Sequence, residues 1–197
     1  MRFNFSTRIL HISMIVVVSY QMLSSLWMSP PEPGKLTSIE NTLFSLHITV
    51  FGWASMIIAG VYALMRFYES EAWARLVPWF SSIHRRAFVI SAKKELPQMF
   101  KGKLAPPEDK GALAGAVHGL GFILLLSMGL TGLYVLFGVR IDGDFRDDIR
   151  LVLFFHEWFG VLIWTFLGAH VLVSIWHLLI GQWCIVDIFR RGKIRWK

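Results

Sequence analysis

The chain has 197 residues, of which 55% are hydrophobic, 15% aromatic and 17% charged, with a formal net charge of +7. Soluble domains carry roughly 25% charge and about 45–50% apolar residues, so this composition excludes an ordinary soluble domain. It also excludes a disordered chain, which would be charged and poor in aromatics. A single cysteine, Cys184, excludes an internal disulfide, a Cys-x-x-Cys-His haem attachment and a cysteine-rich zinc or iron–sulfur centre.

A spanning helix needs about 20 mostly apolar residues. The first such stretch runs from Ile9 to Trp27, behind Arg2 and Arg8. Its apolar run exceeds the roughly 7–15 residues of a signal peptide, and no small-x-small cleavage site follows, so it reads as an uncleaved signal anchor. Pro30, Pro31, Pro33 and Gly34 make the next loop irregular. The second span runs from about Thr42 to Phe67. The connector after it contains Ala72–Phe88, which mixes Trp73, Leu76, Val77, Trp79, Phe80, Ile83 and Phe88 with Arg75, Arg85 and Arg86. That mixture reads as an amphipathic interfacial segment. Pro106 and Pro107 mark a turn before the third span, Ala112–Gly138. The fourth runs from Leu151 to Trp183, and a basic, part-apolar tail, Val186–Lys197, is expected on the membrane surface. Period-two alternation is absent, which removes the barrel alternative. The expectation is one all-α membrane domain over residues 1–197, a four-transmembrane-helix bundle with an amphipathic loop segment and a C-terminal tail.

Charge predicts the orientation. Two basic residues precede the first span; Arg66 at the end of the second span and Arg75, Arg85, Arg86, Lys93, Lys94, Lys101, Lys103 and Lys110 after it lead to the third; five more close the tail. The other two loops hold Lys35, Arg140, Arg146 and Arg150, beside Asp142, Asp144, Asp147 and Asp148. The positive-inside rule puts both termini in the cytoplasm of a multi-pass protein of the bacterial inner membrane. Basic surface next to lipid accounts for the net charge, and gives no reason to invoke nucleic acid as a partner.

Of the seven histidines, His11, His47, His118, His156, His170 and His177 fall within the spans, and His84 lies in the connector. Ionisable residues in a bilayer are functional candidates, although a lone one is more often packed and hydrogen-bonded. His156 and His170 are 14 residues apart, close to four turns, so they face one direction about 21 Å apart along the axis. His47 is near the same end as His156, and His11 near the same end as His170. Each level therefore offers two imidazoles from different helices, the ligand set of a six-coordinate b-type haem in a bundle core. Gly52, Gly60, Gly160 and Gly168 are candidate clearances for its flat face. A zinc site would need three or four ligands at one level, and Glu157 is the only adjoining carboxylate. His11 with His118 is an alternative inner pair. Arg66, Arg85, Arg86 and Lys110 are candidate propionate or quinone partners, though the orientation rule already explains them. Trp27, Trp158, Trp164 and Trp183 read as interface or core aromatics. Cys184 is either inert or lipidated.

The segments Arg8-Ile-Leu-His11, Ser45-Leu-His47-Ile, Ala116-Val-His118-Gly, and His156-Glu157 through Leu167-Gly-Ala-His170 to His177 resemble the bacterial cytochrome b561 family. They are also similar to the cytochrome b gamma subunits of membrane-bound formate dehydrogenases. The resemblance covers all four spans and implies two haem b groups, a periplasmic one held by His47 and His156 and a cytoplasmic one held by His11 and His170. It implies no catalytic residue beyond these ligands. The gamma subunits carry an Asn and a Gln where this chain reads Lys110 to His118 without an amide. His118 and His177 match extra histidines of the cytochrome b561 family, as quinone or propionate contacts.

The resulting expectation is an electron carrier between a periplasmic redox partner, or dehydrogenase subunits, and membrane quinone, in contact with lipid. With no large extramembrane domain and no flavin, molybdenum or iron–sulfur motif, an electron-transfer subunit is favoured over a complete enzyme. A stand-alone cytochrome b561-type quinone oxidoreductase is the second reading, and a non-haem metal carrier or membrane scaffold the third.

Overall fold

A computed structural model of the chain describes residues 5–28, 38–68, 70–106, 111–138 and 147–189. The proline-rich loop at 30–34, Pro107, Lys110, Asp142 and Asp144 of the acidic loop, and the tail from Arg190 lie outside the described residues.

The described elements are α1 (Phe5–Ser25), α2 (Ser38–Leu46), a π-helical turn (His47–Phe51), α3 (Gly52–Tyr68), α4 (Ser70–Leu76), a 3-10 turn (Pro78–Phe80), α5 (Ser82–Phe100), α6 (Ala112–Gly138), α7 (Asp147–Leu179) and a second 3-10 segment (Trp183–Ile188). No strand occurs among the described residues. Among the described residues, four helices are long and apolar enough to cross a membrane: Phe5–Ser25, Thr42–Tyr68, Ala112–Gly138 and Asp148–Leu179. The protein is an all-α, multi-pass membrane protein. Its spanning helices expose large apolar side chains, among them Ile57, Leu130, Phe137 and Leu172. Such surfaces are anomalous in water and ordinary against lipid.

Two boundaries differ from the sequence expectation. The fourth span starts earlier and ends at Leu179, because Gly181 takes φ of +83°. The Gln182 amide then bonds the His177 carbonyl and the Gly181 amide that of Leu178, a Schellman ending that favours glycine. The connector is also more helical than expected. Pro78 interrupts Ala72–Phe88, and α5 starts anew behind the Ser81 cap, which accepts from the His84 amide. The helix continues through Pro97 to Phe100. It closes in a second Schellman ending at Gly102, whose φ is +78°.

The chain forms two compact units. The first comprises Met1–His11, Tyr62–Phe122 and Leu167–Lys197. Here Arg8 Nε donates to the Ile188 carbonyl at 3.1 Å, and Tyr62 packs on Phe122 at 5.7 Å. The end of α4 lies so close to α6 that a side chain at Gly119 would overlap the Leu76 carbonyl, and one at Gly115 would meet the Arg75 carbonyl at 3.0 Å. Small residues permit this approach of backbones. The Leu113 amide donates to Ser91 Oγ at 3.3 Å, tying α5 to the start of α6.

The second unit comprises Ile12–Val61 and Ile123–Phe166. It is a bundle of segments from all four spanning helices. Tyr20 stacks on Phe51 at 3.6 Å, Trp53 meets Phe137 edge-on at 6.3 Å, and Gly129 sits against Met56. Gly138 receives Ile149, which is 1% exposed and anchors the start of α7.

Candidate cofactor site

In the second unit, His47 is the first residue of the π-helical turn. Such turns widen a helix locally and are frequent at functional sites. Gly52 follows it, and a Cβ there would stand 3.1 Å from the His47 carbonyl. From α1, Ser24 Oγ lies 2.9 Å from His47 Nδ1. The same hydroxyl donates its proton to the Gln21 carbonyl at 3.1 Å. With that proton engaged, the oxygen meets the ring as an acceptor. The Gln21 main chain is a further hydrogen-bond partner of the imidazole. A carbonyl only accepts, so a ring held by it donates, and donation from Nδ1 would leave Nε2 with a bare lone pair.

His156 on α7 is held in the same manner. Thr131 Oγ1 on α6 lies 2.8 Å from His156 Nδ1 and donates to the Ser127 carbonyl at 2.7 Å, with the Met128 carbonyl at 3.1 Å. The Met128 main chain also bonds the ring. Gly132 leaves the space beside it: a Cβ there would come within 3.2 Å of His156 Cε1. His47 and His156 lie within electrostatic range of each other. Tyr20 Oη and Gln21 Oε1 are buried without a hydrogen-bond partner among the described residues.

In the first unit, His11, His118 and His170 lie within electrostatic range of one another. His118 and His170 touch edge to face, with ring centroids 5.1 Å apart and planes at 84°. This direct ring contact leaves no place for an iron between those two. His118 Nδ1–H donates to the Ala114 carbonyl of its own helix at 2.6 Å. His11 meets Phe189 edge-on at 6.4 Å.

His177 Nδ1 lies 2.6 Å from Gln182 Oε1, while Gln182 Nε2 donates to the Leu104 carbonyl at 3.4 Å. The amide is thus oriented so that His177 is the donor. His84 bonds the Ser81 hydroxyl at 2.9 Å. Arg66 reaches Thr7 Oγ1 at 3.5 Å and lies 5.1 Å above the Tyr62 ring. Arg85 and Arg86 are exposed. Trp27, Trp158, Trp164 and Trp183 are exposed apolar surface. The Cβ positions of Gly60 and Gly168 have no atom within 4 Å, whereas Gly160 approaches Met128.

The donor set fits a haem in the second unit. Two imidazoles from different helices each have Nδ1 at hydrogen-bond distance from a hydroxyl on a neighbouring helix, which leaves Nε2 as the nitrogen that could hold an iron. Among the described residues, no group of three or more His, Cys, Asp or Glu is placed to hold a metal ion by itself. Ser24, Thr131 and Gly132 were not singled out in the sequence. A hydroxyl inside a span was the available signal, but which helix face it occupies relative to a histidine is not a local property.

The family model described as prokaryotic cytochrome b561 matches residues 2–189. No curated protein and no solved structure matches the chain.

Proposed function

The chain belongs to the prokaryotic cytochrome b561 family, and from that premise we propose that it is a dihaem membrane cytochrome carrying electrons between a periplasmic redox partner and membrane quinone, as the membrane subunit of a respiratory complex. A membrane b-type cytochrome in electron transfer is what the family indicates. The carrying observation for two haems is the grouping of histidines, with His47 and His156 together in one unit and His11 and His170 together in the other.

When bound, haem b supplies reversible one-electron chemistry at an iron tuned by its axial ligands, burial and hydrogen bonds. His47 and His156 would hold one group, and His11 and His170 the second. Both His156 and His170 lie on α7, 14 residues apart, which is about 21 Å of helix rise. The apolar segments around them would exclude water from the bound cofactor. With Nδ1–H given to the Ala114 carbonyl, the His118 Nε2 next to His170 would accept from a quinol hydroxyl in the neutral ring, and would donate to a quinone carbonyl or a propionate in the doubly protonated ring. His177 would do the same beside Gln182. The acidic stretch Asp142–Asp148 would be the docking surface of the periplasmic partner.

The test is a reduced-minus-oxidised spectrum with haem quantitation per chain after haem-replete expression. Two haems are expected in the wild type, and one in each of His47→Ala, His156→Ala, His11→Ala and His170→Ala. One haem per wild-type chain, or none, overturns the dihaem reading. Affinity purification from the native membrane is expected to bring down further subunits. A lone chain that turns over quinone unaided would overturn the subunit role.

A further inference from the structure

We infer that Ser24 and Thr131 are positioning residues for His47 and His156, each holding its imidazole as the Nδ1–H form so that Nε2 faces the metal, and that together they set the potential of one haem and not the other. The inference rests on the assignment of His47 and His156 as a ligand pair.

A hydroxyl has one proton. Ser24 gives it to the Gln21 carbonyl, three residues earlier, and Thr131 gives it to the carbonyls of Ser127 and Met128, four and three residues earlier. Such bonds within a helix are ordinary for serine and threonine. What is particular here is the second partner. Each oxygen turns its remaining lone pairs toward a histidine on another element, at 2.9 Å and 2.8 Å. The main chains of Gln21 and Met128, each three residues before its hydroxyl, bond the same two rings. The construction therefore occurs twice, on α1 and on α6: a hydroxyl, with a main-chain group one turn before it, faces one imidazole. A ring flipped the other way would aim a bare nitrogen at these acceptors and lose the bonds.

The fixed Nδ1–H has a consequence at the other nitrogen. Donation to an acceptor strengthens electron release from Nε2, which stabilises the oxidised metal and tightens its retention. Removing the acceptor raises the midpoint potential and weakens the site. Since both rings would serve one iron, either substitution acts on the same haem, and the second haem is an internal reference.

The full-length, haem-loaded protein is titrated spectroelectrochemically as wild type, Thr131→Val, Thr131→Ser, Ser24→Ala and His156→Ala. Thr131→Val and Ser24→Ala are expected to raise the midpoint of the same single haem and to weaken its retention by about tenfold or more. Thr131→Ser, which keeps the hydroxyl, is expected to stay near wild type, and His156→Ala to lose that haem. If Thr131→Val does not accumulate, Ser24→Ala decides by the same readings. Unchanged midpoints in both hydroxyl variants, with one haem lost in His156→Ala, would overturn the positioning role and leave the ligand pair standing. Two haems retained in His156→Ala would overturn the ligand pair and the inference with it.

Discussion

His156 is bounded by two neighbours on consecutive positions of α6, the Thr131 hydroxyl at its Nδ1 and the bare Gly132 backbone at its Cε1. The first holds the ring by attraction and the second by leaving room. Adding one methyl at Gly132 places a carbon 3.2 Å from Cε1, tighter than an ordinary van der Waals contact, so the ring must tilt. Gly132→Ala is therefore expected to change the ferric electron paramagnetic resonance signal of one haem while leaving helix content by circular dichroism unaltered. An unchanged signal would mean that the ring does not occupy this place when the cofactor is bound. The histidines were legible in the sequence because an ionisable side chain in an apolar run stands out by composition alone. Their hydroxyl partners were not, since Ser24 and His47 are 23 residues apart and Thr131 and His156 are 25 apart. Which faces meet across those separations depends on the rotation of each helix about its own axis. The glycines divide in the same way. Gly52 was singled out and lies against the His47 carbonyl, whereas Gly119, which makes a closer approach to backbone, and Gly132, which lies beside the His156 ring, were not.

At the level of the element, the second spanning helix is not uniform. Its π-helical turn, His47–Phe51, places an extra residue between α2 and α3. Each residue of an α-helix advances about 100° around the axis, so one inserted residue reorients everything before it relative to everything after. Deleting Thr49 is expected to return this stretch to α-helical winding and turn His47 away from His156. The measurable result is loss of one haem from a protein that still inserts in the membrane. Retention of both haems would show that the wide turn has no part in presenting His47. Hydropathy made the third span legible to the residue, Ala112–Gly138, because nothing in it competes with an apolar helix. It overran the fourth, because Trp183 and its neighbours are as apolar as a span while the left-handed Gly181 has already ended the helix. The helix α5 was read only in part. Lys93, Lys94 and Pro97 look like the end of an element, yet the Ser81 cap and the bond from the Leu113 amide to Ser91 sustain it in place.

For the molecule as a whole, the charge distribution makes the boldest statement, and much of it rests on residues in the connecting loops and the tail. The orientation rule predicts that a periplasm-dependent reporter such as alkaline phosphatase is inactive when fused after Lys197 and active when inserted near Gly143. The reverse pattern would invert the assignment of the two haems to the two sides. What the sequence by itself determined is the set of quantities that are local: four apolar runs of spanning length, the bias of basic residues between loops, and the spacing of His156 and His170 along one helix. Each follows from composition or from the fixed rise and turn of an α-helix, with no knowledge of neighbours. Only the tertiary structure decided which side chains meet. It brought Ser24 to His47, Thr131 and Gly132 to His156, and His118 against His170. It also introduced the π-helical turn. These depend on the angle and register at which helices pack, and in an apolar chain many registers bury similar surface. The choice among them is made by a few close backbone approaches and directional hydrogen bonds, which no single segment contains.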